Sequence, residues 1–289
     1  MVTIDNLTVS YRQHPALHHI SGSFARGSLT AVIGPNGSGK STLLKSIMGL
    51  LRPGGGRVRV NAPRERIAYL AQITEIDRSF PLSVLDCVLL GCWSTVGAWG
   101  RISSELRQRV ATAISRVGLA GFEQRTVGSL SSGQLQRVLF ARLMVQEADL
   151  ILLDEPFNAM DSRTTTALLA LVHQWHAEGR TVVAVLHDDE QVRQHFAQTV
   201  LLARELVAWG ETAQVLTPAH LQRARALAEA WDDNADICHT DETSPVTATK
   251  PLVSGSTRAK DVALSGAAIG RTTSTPDQNV AASPQAPTP

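Results

Sequence analysis

The chain has 289 residues, 43% of them apolar, a formal charge of +1 and three cysteines. The length exceeds the roughly 100–200 residues of a common domain without requiring two, and the near-neutral charge argues against a nucleic-acid partner. Cys87, Cys92 and Cys238 lack C-x-x-C spacing, no stretch reaches the roughly 18 consecutive apolar residues of a membrane span, and the N-terminus starts on strand-like sequence rather than a leader, so a soluble cytoplasmic chain is expected.

Val2, Ile4, Leu7 and Val9 mark an N-terminal strand region. His14, His18 and His19 follow in what reads as a turn region, as solvated or packing side chains rather than metal ligands. Leu29 to Ile33 is a buried strand, and it runs directly into Gly34-Pro35-Asn36-Gly37-Ser38-Gly39-Lys40-Ser41-Thr42. This stretch fits the phosphate-binding pattern G-x-x-x-x-G-K-[ST] and opens a helical stretch, Ser41 to Leu50, which is the context the pattern needs. Backbone N–H groups of such a turn converge on phosphate oxygens at a helix N-terminus. Lys40 would neutralise the outer phosphates and Ser41 would hold Mg²⁺.

Arg57 to Val60 alternates at period two and reads as a half-exposed strand, and Ile67 to Leu70 is a further apolar run. Ser83 to Leu90 looks helical with Ser83 as N-cap, so Cys87 reads as a packing residue and Cys92 as a loop residue. Trp93 and Trp99 flank a glycine-containing loop and are expected to cover the helices without holding a ligand. Leu106, Val110, Ile114 and Val117 form a helical stripe, and Leu135, Val138 and Leu139 line another. Strands and helices then alternate: Leu150 to Leu153, a helix over Ser162 to Glu178 capped by Asp161, Thr181 to Leu186, and a helix after His187. Thr199 to Ala203 and Leu206 to Trp209 read as closing strands. The alternation predicts an α/β fold with a parallel sheet. Residues 72–147 are expected to form a helical lobe within a domain of residues 1–231. Residues 232–289, rich in Ser, Thr, Pro, Ala and Gly, read as a disordered tail. Its acidic stretch around Cys238 and His239 reads as solvated rather than metal-binding.

Leu130-Ser131-Ser132-Gly133-Gln134 resembles the Leu-Ser-Gly-Gly-Gln signature of ATP-binding-cassette (ABC) ATPases, with serine at 132 where that family has glycine. Further marks of the family follow in order over residues 2–215. Tyr11 resembles the aromatic that stacks on adenine, Gln72 the Q-loop glutamine, and Leu150 to Glu155 the Walker B strand with its catalytic glutamate. Asn158-Ala159-Met160-Asp161 stands at the D-loop position and His187 at the switch histidine. The resemblance implies a P-loop ABC ATPase domain: a RecA-like parallel-sheet core, an N-terminal antiparallel β subdomain and a helical signature lobe. It implies ATP on Tyr11 and residues 34–42, Mg²⁺ held by Ser41, Gln72 and Asp154, and catalysis by Glu155 and His187. It also implies a homodimer in which Ser131, Ser132, Gly133, Gln134 and Asp161 complete the partner's site, working with a membrane permease and a separate solute-binding protein on the inner face of the membrane.

Residues 66–91 are similar to the Q-loop region of manganese and zinc importer ATPases, with Asp77 followed by Phe80-Pro81 and then a Val84-x-Asp86 helix ending in Gly91. Cys92 departs from the basic residue common there. Val185 to Glu190 and Phe157 to Asp161 resemble the same branch, nearest to the Azt-type zinc transporter ATPases, with iron-chelate importers as neighbours. Zinc taken inward is the cargo this implies.

Overall fold

A computed structural model describes residues 1–11, 14–97, 100–158 and 160–230. The expectations for Trp99 and for residues 232–289 lie outside them. Two sheets carry the fold. The first is antiparallel, with β1 (Val2–Tyr11) between β2 (His14–Phe24) and β4 (Gly55–Val60). Val2, Ile4, Leu7 and Val9 of β1 and Leu17, Ile20 and Phe24 of β2 are buried, so the alternation along both strands turns one face inward. The three early histidines are therefore on or at the start of a strand, not in a turn. No alternating run of large apolar residues announces β2, because His18 and His19 interrupt it, and His19 takes φ +52 opposite Asn6 at φ +50 in an irregular stretch of pairing.

The second sheet has the order β5-β6-β7-β3-β8-β9. Its strands are β3 (Leu29–Ile33), β5 (Ile67–Leu70), β6 (Leu150–Asp154), β7 (Thr181–Val185), β8 (Gln198–Ala203) and β9 (Glu205–Glu211). All neighbours are parallel except β8 and β9, which pair antiparallel across Arg204 at φ +60. β3, β6 and β7 are buried along their whole length, as expected of strands covered on both faces. Val185 pairs with both Val32 and Asp154, so the carboxyl ends of β3, β6 and β7 finish at one level. Loops leaving such ends form the crevice where open α/β sheets bind ligands.

The helices are α1 (Lys40–Met48), α2 (Val84–Leu89), α3 (Trp93–Val96), α4 (Ser104–Arg116), α5 (Ser132–Val145), α6 (Ser162–Ala177), α7 (Asp189–His195), α8 (Thr212–Val215) and α9 (Pro218–Glu229). Ser83 caps α2 and Asp161 caps α6 through their side chains, as their positions predict. Between β5 and β6 the chain is helical, and Leu106, Val110 and Ile114 of α4 join Leu135, Val138 and Leu139 of α5 in one apolar cluster. Two expectations fail there. Cys92 is buried rather than in an open loop, and Trp93 is 58% exposed rather than a cover for the lobe. Burial of Gly91 explains the first, since a Cβ there would sit 2.4 Å from the Arg142 carbonyl and the chain around it is drawn in.

Candidate functional site

β3 delivers the glycine-rich turn. Gly34 has φ +148, and a Cβ on it would lie 2.0 Å from the Leu202 carbonyl oxygen. Gly39, the residue before α1, has φ +91, and a Cβ would lie 2.3 Å from the Ala16 carbonyl. Both therefore need glycine for the left-handed turn and for backbone packing behind it. Gly37 also has positive φ, yet nothing lies within 4 Å of its added Cβ, so this side of the turn is open to a ligand. No side chain caps α1, which leaves its first N–H groups aimed into the turn. Lys40 folds over the same turn, donating to the Gly34 and Pro35 carbonyls at 2.9 and 2.8 Å and to Ser38 Oγ at 3.5 Å. Burial pushes its ammonium below the ordinary lysine range, and the Glu155 and Asp154 carboxylates partly offset this.

β6 ends in Asp154, which is fully buried. Ser41 Oγ donates to its Oδ1 at 3.0 Å and Tyr69 Oη to its Oδ2 at 3.3 Å. Burial pushes the Asp154 carboxyl up, the Ser41 hydrogen bond pulls it back, and the Glu155 charge raises it again. Tyr69 is held far above its ordinary range, by burial first and by Asp154 second, so it remains a neutral donor. Gln72 links the Ser41 hydroxyl to the second carboxylate: its Nε2 donates to Ser41 Oγ at 3.2 Å and to Glu155 Oε1 at 2.9 Å. His187 Nε2 meets the same Oε1 at 2.7 Å, and Asn158 Nδ2 donates to Oε2 at 3.1 Å. Glu155 itself has φ +50, a left-handed backbone that a glutamate adopts only under constraint. A recess of about 530 Å³ opens beside Glu155, Asn158 and His187, between α6 and α7.

Tyr11 is 45% exposed at the other end of the turn, where it lines a recess of about 250 Å³ with Ala16, Gly37 and Arg204. Its place fits a flat apolar group next to phosphates. Asn36 and Thr42 lie within the turn and the first turn of α1.

Ser131 caps α5 in a reciprocal capping box: Gln134 N donates to Ser131 Oγ and Ser131 N to Gln134 Oε1. Ser132 is the first residue of the helix and keeps negative φ, so serine at this position meets no backbone strain. Arg78 donates to the Leu130 carbonyl and to Ser132 Oγ. Ser131 and Ser132 are exposed, and Asp161 bonds Thr164 in its own helix cap. The structure thus joins Ser41, Gln72, Asp154, Glu155 and His187 into one hydrogen-bonded cluster, with Lys40 held beside it by the turn's own carbonyls, while the signature segment and Asp161 bond within or beside their own helices. Tyr69 joins this cluster and Arg78 the signature end of α5, neither with a role assigned from sequence, and Asn158, placed from sequence only within the D-loop segment, also bonds Glu155. A phenol inside an apolar strand three residues before such a glutamine was the available signal for Tyr69.

A family model described as ABC transporter matches residues 17–158. The zinc transport system ATP-binding protein TroB of Treponema pallidum is 40% identical over 228 residues, covering 77% of this chain and 86% of its own. The manganese transport system ATP-binding protein MntB of Listeria monocytogenes is 39% identical over 226 residues, covering 76% and 94%. A bacterial ABC transporter cassette solved as a dimer superposes with a TM-score of 0.65 at 27% identity, covering 73% of this chain and 99% of that one. With a phosphate-binding turn and carboxylate cluster of this arrangement, and relatives matched over most of their length, the chain belongs to the ATP-binding, ATP-hydrolysing subunits of ABC transporters.

Proposed function

We propose that the chain hydrolyses ATP with Glu155 as the water-orienting base and uses that reaction to power a membrane permease importing a divalent metal ion, zinc in the first place. The observation that carries the catalytic part is the Glu155 carboxylate, held by Gln72, His187 and Asn158 within one hydrogen-bond chain of Ser41 and Asp154. On nucleotide binding Lys40 exchanges the Gly34 and Pro35 carbonyls for the outer phosphates, joined by backbone N–H groups of residues 37–42. Tyr11 stacks on the base. His187, at present on Glu155, is placed to turn to the terminal phosphate and to report its loss.

The donor set suits Mg²⁺: a hydroxyl, an amide and a buried carboxylate whose present partners are only hydroxyl donors. Ser41, Gln72 and Asp154 would hold the ion, which neutralises phosphate charge during transfer. Glu155 lies one residue beyond Asp154, so it is left to act on water.

The exposed N-terminal end of α5 supports a homodimer in which Ser131, Ser132, Gly133 and Gln134 complete the partner's ATP site, and the dimeric form of the superposed cassette supports it too. Asp161 would cross beside it. A permease partner is supported by large apolar side chains left in solvent along the segment after Gln72: Phe80 at 65%, Leu90 at 40% and Trp93 at 58% exposure. No described helix is long and apolar enough to cross a membrane, which fits a subunit held on the inner face by that permease and served by a separate solute-binding protein.

Zinc follows from the resemblance in residues 66–91 and 157–161 and from the relative named for zinc. Manganese is the second reading, favoured by the relative named for manganese at nearly equal identity. Deleting the gene and measuring cellular metal content and growth under chelation separates them. Zinc rescue is expected, whereas rescue by manganese or an iron chelate but not zinc would reassign the cargo and leave the ATPase untouched.

A further inference from the structure

The buried face of α5 carries one side chain whose chemistry does not match its surroundings. Leu135, Val138, Leu139 and Phe140 are buried and apolar, and Gln136 among them is 1% exposed. Its Nε2 donates to the Pro156 carbonyl oxygen at 2.8 Å, and its Oε1 has no partner among the described residues. A methionine would fill a similar volume and remove the partnerless oxygen while taking the donor from the Pro156 carbonyl, so the two effects oppose each other and stability gives little reason for the amide.

What the amide holds is the residue after Glu155. Glu155 keeps its left-handed backbone only because the contacts around it impose it, and Asn158 N closes the turn on the Glu155 carbonyl at 3.3 Å. One helical turn beyond Gln136, on the same face of α5, the Phe140 ring stacks on Phe157 at 6.2 Å. α5 therefore grips residues 156 and 157 at two points. Gln136 also lies only four residues, about 6 Å of helix, beyond Ser132 at the exposed end. A shift of that end carries Gln136 with it, because a packed helix moves as a unit rather than bending within one turn.

From this we infer that Gln136 is a positioning residue. It ties the backbone that aims Glu155 to the signature helix, so that hydrolysis depends on where that helix sits. The inference rests on the reading of Glu155 as the water-orienting group.

The test uses the full-length chain and the variants Gln136→Met, Gln136→Glu and Glu155→Gln, with kcat, KM, ATP affinity by titration and Tm measured for each. Gln136→Met trades one unpartnered oxygen for another, so Tm is expected to move by only a few degrees and ATP affinity to stay within about twofold. Its kcat should fall about tenfold or more, since small misplacements of a reacting group cost rates of that order. Gln136→Glu supplies a second donor. A buried carboxylic acid has a raised pKa and, while protonated, donates to the Pro156 carbonyl. Its kcat relative to the parent should therefore fall as pH rises, while the same ratio for Gln136→Met stays flat. A kcat for Gln136→Met within twofold of the parent overturns the inference. So does a loss matched by equal losses of affinity or Tm, which marks a packing role, and so does a flat ratio for Gln136→Glu. Normal hydrolysis by Glu155→Gln overturns the reading of Glu155 and this inference together. An inactive Glu155→Gln beside an unimpaired Gln136→Met overturns this inference alone.

Discussion

Glu155 is useful as a base only if its lone pairs face water, and three side chains now hold both of its oxygens. Glu155→Gln keeps the length and most of this network but cannot take a proton. Hydrolysis should fall by about 10²–10⁴-fold, the usual contribution of a positioned base, with ATP binding preserved. The ATP-bound dimer should then accumulate, and size-exclusion chromatography with ATP that shows only monomer would refute the two-site arrangement. In the proposed cycle Lys40 acts one step earlier. Its ammonium is buried and satisfied by two carbonyls of the turn, so Lys40→Ala removes a charge from the phosphates in a partly desolvated place. A loss of about tenfold or more in ATP affinity is expected from a charge-assisted hydrogen bond, read by nucleotide titration. Asp154 shows the tension between function and stability. Its carboxyl is pushed up by burial, so the charged form costs the native state energy at every pH above its folded pKa. In metal-free buffer Asp154→Asn should raise Tm at neutral pH while abolishing hydrolysis. The gain should vanish below the ordinary carboxyl value of 3.8, where neither chain carries that charge. A Tm lowered at neutral pH would contradict this account.

Between elements, the contact that matters most for the site is α5 against the turn after β6 and against α6. Phe140 is fully buried, with its ring 6.2 Å from Phe157 and 6.0 Å from Trp175. Phe140→Ala should cost about 3–5 kcal/mol, the range for deleting a large buried ring. Thermal unfolding measures this, and a loss below 1 kcal/mol would show that the site collapses around the gap. Such packing is the part of the structure that sequence patterns convey least. The runs Leu29 to Ile33 and Leu150 to Leu153 were legible because both faces of each strand are covered and every side chain but that of Thr30 is apolar. Ser83 and Asp161 were legible because a capping side chain acts on its own helix. β2 was not, since its histidines broke the period and its pairing with β1 is irregular. α9 was passed over because its only fully buried residue is Ala224, too small to mark a stripe. At the site, residue types at motif spacing located Lys40, Ser41, Asp154 and Glu155. The bonds from Tyr69, Asn158 and Gln136 depend on how strands and helices meet in space, which spacing along the chain does not encode.

On the scale of the whole chain, the question is where the working unit stops. β8 and β9 close the sheet beside β3, and Arg204 N donates to the Ser38 carbonyl in the glycine-rich turn. α9 then packs Leu221, Ala224 and Leu227 against the same apolar cluster, while Arg193 reaches the Leu216 carbonyl just before it. Residues 232–289 contain no Phe, Trp, Tyr or Met and are rich in Ser, Thr, Pro, Ala and Gly, a composition that offers little apolar surface for a core. Removing residues 232–289 should therefore leave ATPase activity and Tm close to those of the full chain. Removing everything after Leu216 should instead expose Leu201 and Ala203 of β8, next to the glycine-rich turn, and strip away the apolar contacts of Leu221, Ala224 and Leu227. A few kcal/mol of stability should go with them, at about 25 cal/mol per Å² of apolar surface uncovered, together with much of the ATP affinity. Equal Tm losses for the two truncations, or a large loss for the shorter one, would place part of the working unit beyond residue 231 and overturn this boundary.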